Sequence, residues 1–275
     1  MNLTVSDILE FLENVAPSSL AEKNDPIGLQ VGSKKALVKG ILLTVDPSLS
    51  ACKFAIDQGL NLIVSHHPLF YNPVQSLTPD AYPGNVAYFA VKEGLNLIAW
   101  HTPLDKVSWG VSAALAERLG LSPESPILSE TSLGEGNGLG VLVKFSKSVK
   151  LGELAKEVAK KVNSWVMMVG DESCEVDSLG ICGGSCSFLM EHLKKLSVKT
   201  LLTSDVKYHT ARQAEEEGFN FVIVDHGVAE SFVLPKLKER LNQFLSKRGS
   251  QVPIVIFTEK SPYKTIQEVQ AKNAG

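Results

Sequence analysis

The sequence predicts an α/β protein of two lobes with mixed, largely parallel sheets. Three observations carry that prediction. Strand-like and helix-like stretches alternate from residue 37 onward. A stretch rich in Ser, Pro, Gly and Glu at 121–137 separates two such series. One strand pattern, opening at a glycine, recurs at 59–67, 94–101 and 218–226. Alternation of this kind builds parallel strands with helices packed over them. The break divides the chain into an N-terminal lobe, 1–125, and a C-terminal lobe, 126–275.

The first element is a helix near residues 4–15. Ile8, Phe11, Leu12 and Val15 recur at helical spacing, and Thr4 with Asp7 forms a capping-box pattern. The segment lacks the basic start and unbroken apolar run of a signal peptide. Residues 41–45 then read as a buried strand. A helix opened by Pro47 closes near Gly59. Strand 61–65, helix 85–94, strand 95–100 and helix 111–119 complete the first series. Residues 121–137 read as a linker or long loop. The second series is strand 139–145, helix 151–162, strands 164–169 and 178–182, helix 187–196, strand 199–203, helix 208–217, strand 219–224, helix 228–246 and strand 253–258. The polar tail from about 260 reads as loose.

Composition narrows the function classes. The chain has 275 residues, 44% hydrophobic and 21% charged, with a net charge of −3. Those values are ordinary for a globular protein and give no bulk attraction to nucleic acid or membranes. No apolar run reaches the roughly 18 residues that would cross a bilayer. Cys52, Cys174, Cys182 and Cys186 are too few for a disulfide framework. The expected location is therefore a reducing cytoplasm. Cys182 and Cys186 would need two further ligands to hold zinc, so they read as buried thiols.

The histidines are the strongest signal. Of six, His66, His67, His101 and His226 fall at the ends of the recurring strand, and His209 follows a fourth strand. Only His192 falls within a helix, as a surface residue. The carboxyl edge of an open α/β sheet is where ligands bind. His101 and His226 each have a carboxylate four residues on, Asp105 and Glu230. In a helix, positions i and i+4 share one face. Pro103 makes a helix start after His101 less secure than one after His226. Imidazoles and carboxylates together suit Zn, Fe, Mn, Co or Ni. The set His66, His67, Asp105, His226 and Glu230 is too large for one tetrahedral site and suits two divalent ions in the interlobe cleft. Ions roughly 3.5–4 Å apart activate water and clamp developing charge. A single zinc with the other residues structural is the competing account.

These motifs resemble the GTP cyclohydrolase I type 2-like family, also called NIF3-like. The matching segments are Asp25 to Gly32 (DPIGLQVG), Ser65 to Phe70 (SHHPLF), His101 to Asp105 (HTPLD), Cys182 to Cys186 (CGGSC), Ser204 to His209 (SDVKYH) and Asp225 to Glu230 (DHGVAE). Pro103, Cys186 and Ser204 stand where the family pattern has Asn, Gly and Gly. The resemblance implies a two-lobed α/β fold, a dinuclear metal centre and a ring-shaped homo-oligomer, commonly a hexamer. It implies His67 and Asp105 on one ion, His66 and His226 on the other, and Glu230 bridging. His101 would stand beside the ions, with catalytic roles falling to it and to His209 through proton transfer.

Lys207 or His209 could meet an anionic group, and the Cys182–Ser185 turn could offer backbone N–H groups to a phosphate. Tight-turn and helix-capping roles fit the same residues. Trp109 reads as cover for the core. Two functions follow: a metal-dependent hydrolase of a nucleotide or related heterocycle, or a non-catalytic metal carrier, sensor or scaffold.

Overall fold

Strands rich in Ile, Leu and Val, buried on both faces, form the centre of each sheet. The computed structural model describes residues 2–131 and 134–264. The first sheet holds β1 (Gly28–Val31), β2 (Ile41–Thr44), β3 (Leu62–Ser65), β4 (Asn96–Ala99) and β11 (Ile254–Ile256), in the order β1-β4-β3-β2-β11. All its pairs are parallel except β1 with β4. The second sheet holds β5 (Ser125–Ser129), β6 (Gly138–Lys150), β7 (Val166–Val169), β8 (Glu175–Ile181), β9 (Thr200–Thr203) and β10 (Asn220–Val224), in the order β5-β6-β8-β9-β10-β7. Only β8–β9 and β9–β10 are parallel there.

Side chains alternate across each strand, so each sheet builds two apolar layers. On one face of the first sheet, Ile41, Leu43, Leu62 and Val64 meet α1 (Val5–Val15) and α10 (Val233–Lys247). On the other, Leu42, Ile63 and Leu97 meet α2 (Leu49–Asp57) and α3 (Gly84–Lys92). The second sheet packs α6 (Leu151–Val162) on one face, and α7 (Met190–Lys195) and α8 (Tyr208–Glu216) on the other. Helix α5 (Val111–Arg118) joins the lobes. Its Val111 and Ala114 enter the first core, and its Leu115 and Ala116 the second.

The recurring strand pattern has a structural cause. Gly59, Gly94 and Gly218 all lie in the left-handed region, at φ 69°, 70° and 65°. The next amide bonds back across the helix end in each case: Leu60 to Ala55, Leu95 to Ala90 and Phe219 to Ala214, all at 2.8 Å. That bond is the Schellman closure, which ends the helix and aims the chain into the sheet. The Thr4–Asp7 capping box is present in full.

Four expectations change. Residues 121–137 are not wholly a loop, because β5 lies within them and pairs with β6. Only Ile127 of that strand is buried, and Pro126 is tolerated because β5 is a sheet edge. Strand β1, short and incompletely buried, has no apolar run to announce it. The expected helix 228–246 is two helices, α9 (His226–Ser231) and α10, meeting at Phe232. The division at 125/126 does not follow the sheets: α10 packs in the first core, and β11 pairs with β2. An apolar strand at the chain's end carries no local mark of which open edge it will join. The tail is ordered at its start, where Ser261 donates to Asp225. Residues 265–275 lie outside the described residues. Among the described residues, no helix is long and apolar enough to cross a membrane.

Candidate metal centre

Parallel pairing brings the carboxyl ends of β2, β3 and β4 to one edge. Asp46, His66–His67 and His101 follow those ends directly. The amides of His66 and His67 donate to Thr44 and Val45 carbonyls at 3.0 and 2.8 Å, which extends pairing past β3. The Ser65 hydroxyl donates to the His67 carbonyl at 2.7 Å and fixes the turn. His101 caps α4 (Thr102–Lys106), whose Pro103 sits in the first turn, where no amide hydrogen is needed. Pro103 therefore starts the helix that carries Asp105.

The second lobe supplies the opposing wall. Asp225 follows β10 and caps α9, accepting from the Val228 amide at 3.1 Å. His226 and Glu230 then stand one turn apart, with Nε2 and Oε1 2.9 Å from each other. The glycine turn after β8 passes close by. A Cβ on Gly184, which has φ +80°, would lie 2.7 Å from Glu230 Oε1.

Glu230, 3% exposed, is the hub. His67 Nε2 lies 2.9 Å from its Oε2, and His66 Nε2 lies 3.7 Å from its Oε1. His66 Nε2 is also 3.5 Å from Asp105 Oδ1. Ligating atoms of His66, His67 and His101 fall within 4.8 Å of one another, as do those of His67, His226 and Glu230. All five residues assigned to metal by sequence converge. Their contacts pair His66 with Asp105, and His67 with His226 about Glu230. The resemblance had paired His67 with Asp105 and His66 with His226.

Each of three histidines turns its Nδ1 to a carboxylate. His67 faces Asp46 at 2.8 Å, His101 faces Asp25 at 2.9 Å, and His226 faces Asp205. Such partners fix the ring and present the other nitrogen. Asp25 is itself held by the Thr102 amide and hydroxyl, and Asp205 by the Ser185 hydroxyl at 2.7 Å.

The electrostatics show how tightly these charges are coupled. Burial pulls the His67 imidazole down, but Asp46 and Glu230 reverse this and raise it to about 10. Burial acts likewise on His226, and Glu230 with Asp205 raises it to about 9. Burial opposes ionisation of Glu230, yet His66, His226 and His67 hold it well below the usual carboxylate range. Asp105 goes the other way: burial and the Glu230 charge raise it to about 8. Three imidazoles set against two carboxylates in this way form a group that could hold a metal ion.

Buried polar atoms normally find partners. Here His66 Nδ1 and Nε2, Asp105 Oδ1 and Glu230 Oε2 have no hydrogen-bond partner of good geometry. His67 stands at ion-pair distance from Glu230 Oε2, so that oxygen is electrostatically served, whereas His66 Nε2 is beyond bonding distance of either carboxylate. Nitrogen and carboxylate oxygen, orphaned and convergent, fit divalent transition ions.

The centre opens on a cavity of about 880 Å³ lined from both lobes. His101 lines it. His209 does not: it is exposed in the first turn of α8 against the Tyr208 ring. Lys207 is also exposed and outside the cavity wall. Their strand end instead contributes Asp205. The Gly183 and Cys186 amides are committed to Ser112 and Thr203 hydroxyls, which weakens the turn as a phosphate cradle. All four cysteines are free, and Cys182 and Cys186 are buried. Trp109 packs on the first core, with the Arg240 guanidinium 4.1 Å above its ring. Sequence reasoning passed over Asp46 and Asp25. Asp46 carried the same strand-end signal as the histidines, and Asp25 lay within the matching DPIGLQVG segment.

A profile of the Duf34/NIF3 (NGG1p interacting factor 3) family matches residues 3–262. A Clostridium acetobutylicum protein named GTP cyclohydrolase 1 type 2 homolog is 28% identical over 96% of this chain and 99% of its own length. A Helicobacter pylori protein named GTP cyclohydrolase 1 type 2 is 28% identical over 92% and 98%. The crystal structure of Staphylococcus aureus hypothetical protein SA1388 superposes with a TM-score of 0.90 at 26% identity, covering 97% of this chain and all of that one.

Proposed function

The chain belongs to the Duf34/NIF3 family, and on that premise we propose that it holds two divalent metal ions and hydrolyses a nucleotide or related heterocycle. One observation carries the proposal: ligand atoms of His66, Asp105 and Glu230 lie buried where the two lobes meet, facing one another without a hydrogen bond of good geometry. His66, His67, Asp105 and His226 would hold the ions, with Glu230 between them. Bound there, the ions would activate water and stabilise negative charge developing on a substrate. The residues around them perform the rest. Asp46 and Asp205 keep His67 and His226 oriented. Asp25 accepts from His101 Nδ1, which leaves the second ring nitrogen free to take or give a proton beside the site. The relatives named as cyclohydrolases support a ring-opening hydrolysis. Free thiols support a reducing cytoplasm, and the family resemblance supports a hexameric ring.

Elemental analysis should give two ions per chain, with loss of both in Glu230→Ala. Metal-dependent turnover against a panel of nucleotides should likewise vanish in that variant. Tight metal retention without turnover of any member would make the protein a metal carrier, sensor or scaffold instead. One ion per chain would leave only the single-zinc account.

A further inference from the structure

Three aromatic rings stand exposed on the wall of the cavity above the metal centre. Tyr71 and Tyr82 are each 68% exposed, and Phe188 is 63% exposed. Tyr71 and Tyr82 come from the segment between β3 and α3, and Phe188 from the 3-10 turn after β8. Both lobes therefore contribute. Large rings left in water forgo the burial that normally stabilises them, and they are the side chains that bind planar ligands by stacking.

The polar part of the same wall sets the charge such a ligand can carry. It presents the carboxylates of Glu22, Asp46, Asp105, Glu130 and Glu230. Among the described lining residues there is one lysine and no arginine. That lysine, Lys106, already has its Nζ 2.5 Å from Glu22. Carboxylates thus outnumber the fixed cations on this wall. Such a wall offers few fixed cations to a triphosphate, whose recognition needs cations or free backbone amides. Lys207 and His209, the cationic candidates from sequence, lie off this wall.

Resting on the metal-centre reading, we propose that the cavity recognises an uncharged planar heteroaromatic ring, a nucleobase or nucleoside, held by stacking and edge contacts with Tyr71, Tyr82 and Phe188. A triphosphate tail is not part of what it recognises. The substrate class is thereby narrowed from nucleotides in general to the ring that the ions would act on.

The test is calorimetric binding to the metal-loaded full-length protein, dialysed and with its metal content measured first. The probes are guanosine, adenosine, cytidine and uridine, their 5′-triphosphates, and ribose 5-phosphate. At least one nucleoside should bind as tightly as its triphosphate or more so, and ribose 5-phosphate should not bind. Tyr71→Ala, Tyr82→Ala and Phe188→Ala should each weaken that nucleoside roughly 5- to 100-fold, as loss of a stacking ring does. Metal content should stay unchanged, and Tyr82→Phe should bind like the parent. A triphosphate preferred tenfold or more would overturn the proposal. So would the absence of binding by any nucleoside, or alanine variants that bind normally, including any that change only the oligomeric state. A protein that retains no ions fails the metal-centre reading alone, and the same nucleoside titrations then judge the stacking proposal separately.

Discussion

Glu230 shows how a single side chain depends on its surroundings. It is buried, ionised and shared by imidazoles from both lobes. Its position relies on a glycine that the Cys182–Cys186 motif supplies. Gly184→Ala would set a Cβ against Glu230 Oε1 in a left-handed backbone, so it should lower bound metal and melting temperature together. The Asp46 carboxylate acts through His67. Asp46→Asn should weaken metal affinity by roughly 10- to 100-fold, the usual cost of losing a partner behind a ligand, measured by chelator competition. Protons and ions also compete here. His67 near 10 and His226 near 9 keep their protons in the ion-free protein at neutral pH. The stability those protons contribute is fully present below the ordinary histidine value, ~6.5, and is lost as pH rises through the raised values. Metal uptake at pH 7.5 should therefore release protons and tighten with rising pH. Calorimetric heats that do not vary with buffer ionisation enthalpy would contradict this.

At the scale of elements, the two lobes use one device twice. Asn96 at the start of β4 accepts from the Ser33 amide, and Asn220 at the start of β10 bonds the Thr200 hydroxyl. Each side chain fits only because a glycine faces it. A Cβ on Gly32 would lie 2.1 Å from Asn96 Oδ1, and one on Gly170 would lie 2.2 Å from Asn220 Oδ1. Gly59 has the same need for positive φ but open space around it. Urea denaturation should thus separate them: Gly59→Ala costing about 1–2 kcal/mol for backbone alone, Gly32→Ala distinctly more. At the N-terminus, Thr4→Ala should cost about 1 kcal/mol by removing the cap of α1. Hydrogen bonds from Thr4, reinforced by Arg248, hold Asp7 below its ordinary value. Its contribution is present above about pH 3.9 and is lost as pH falls through the depressed native value. An acid titration of Asp7→Asn should lack that loss. These elements were legible because caps and closing glycines are local. Strand β5 was not, since its stability comes from pairing with β6 and not from its own composition.

The whole molecule joins its lobes through α5 and through Phe232, which touches both cores. Heating should therefore give one cooperative transition by calorimetry and circular dichroism together, and two separated transitions would contradict this. Convergence of the five residues assigned to metal was legible because every one follows a strand's carboxyl end or lies in the helix just beyond it. What the sequence left unread was the setting of each strand end: His209 shares the strand-end signal, yet lies exposed at the start of α8. The route of the last strand was equally hidden. Strand β11 closes on β2 only after the entire second sheet has been traversed. On the ribosome, then, the first lobe emerges early but waits, one apolar face covered only by α1, until α10 and β11 have left the exit tunnel. The nascent protein must keep that face from neighbours through most of its synthesis, which makes the half-made chain its most aggregation-prone form.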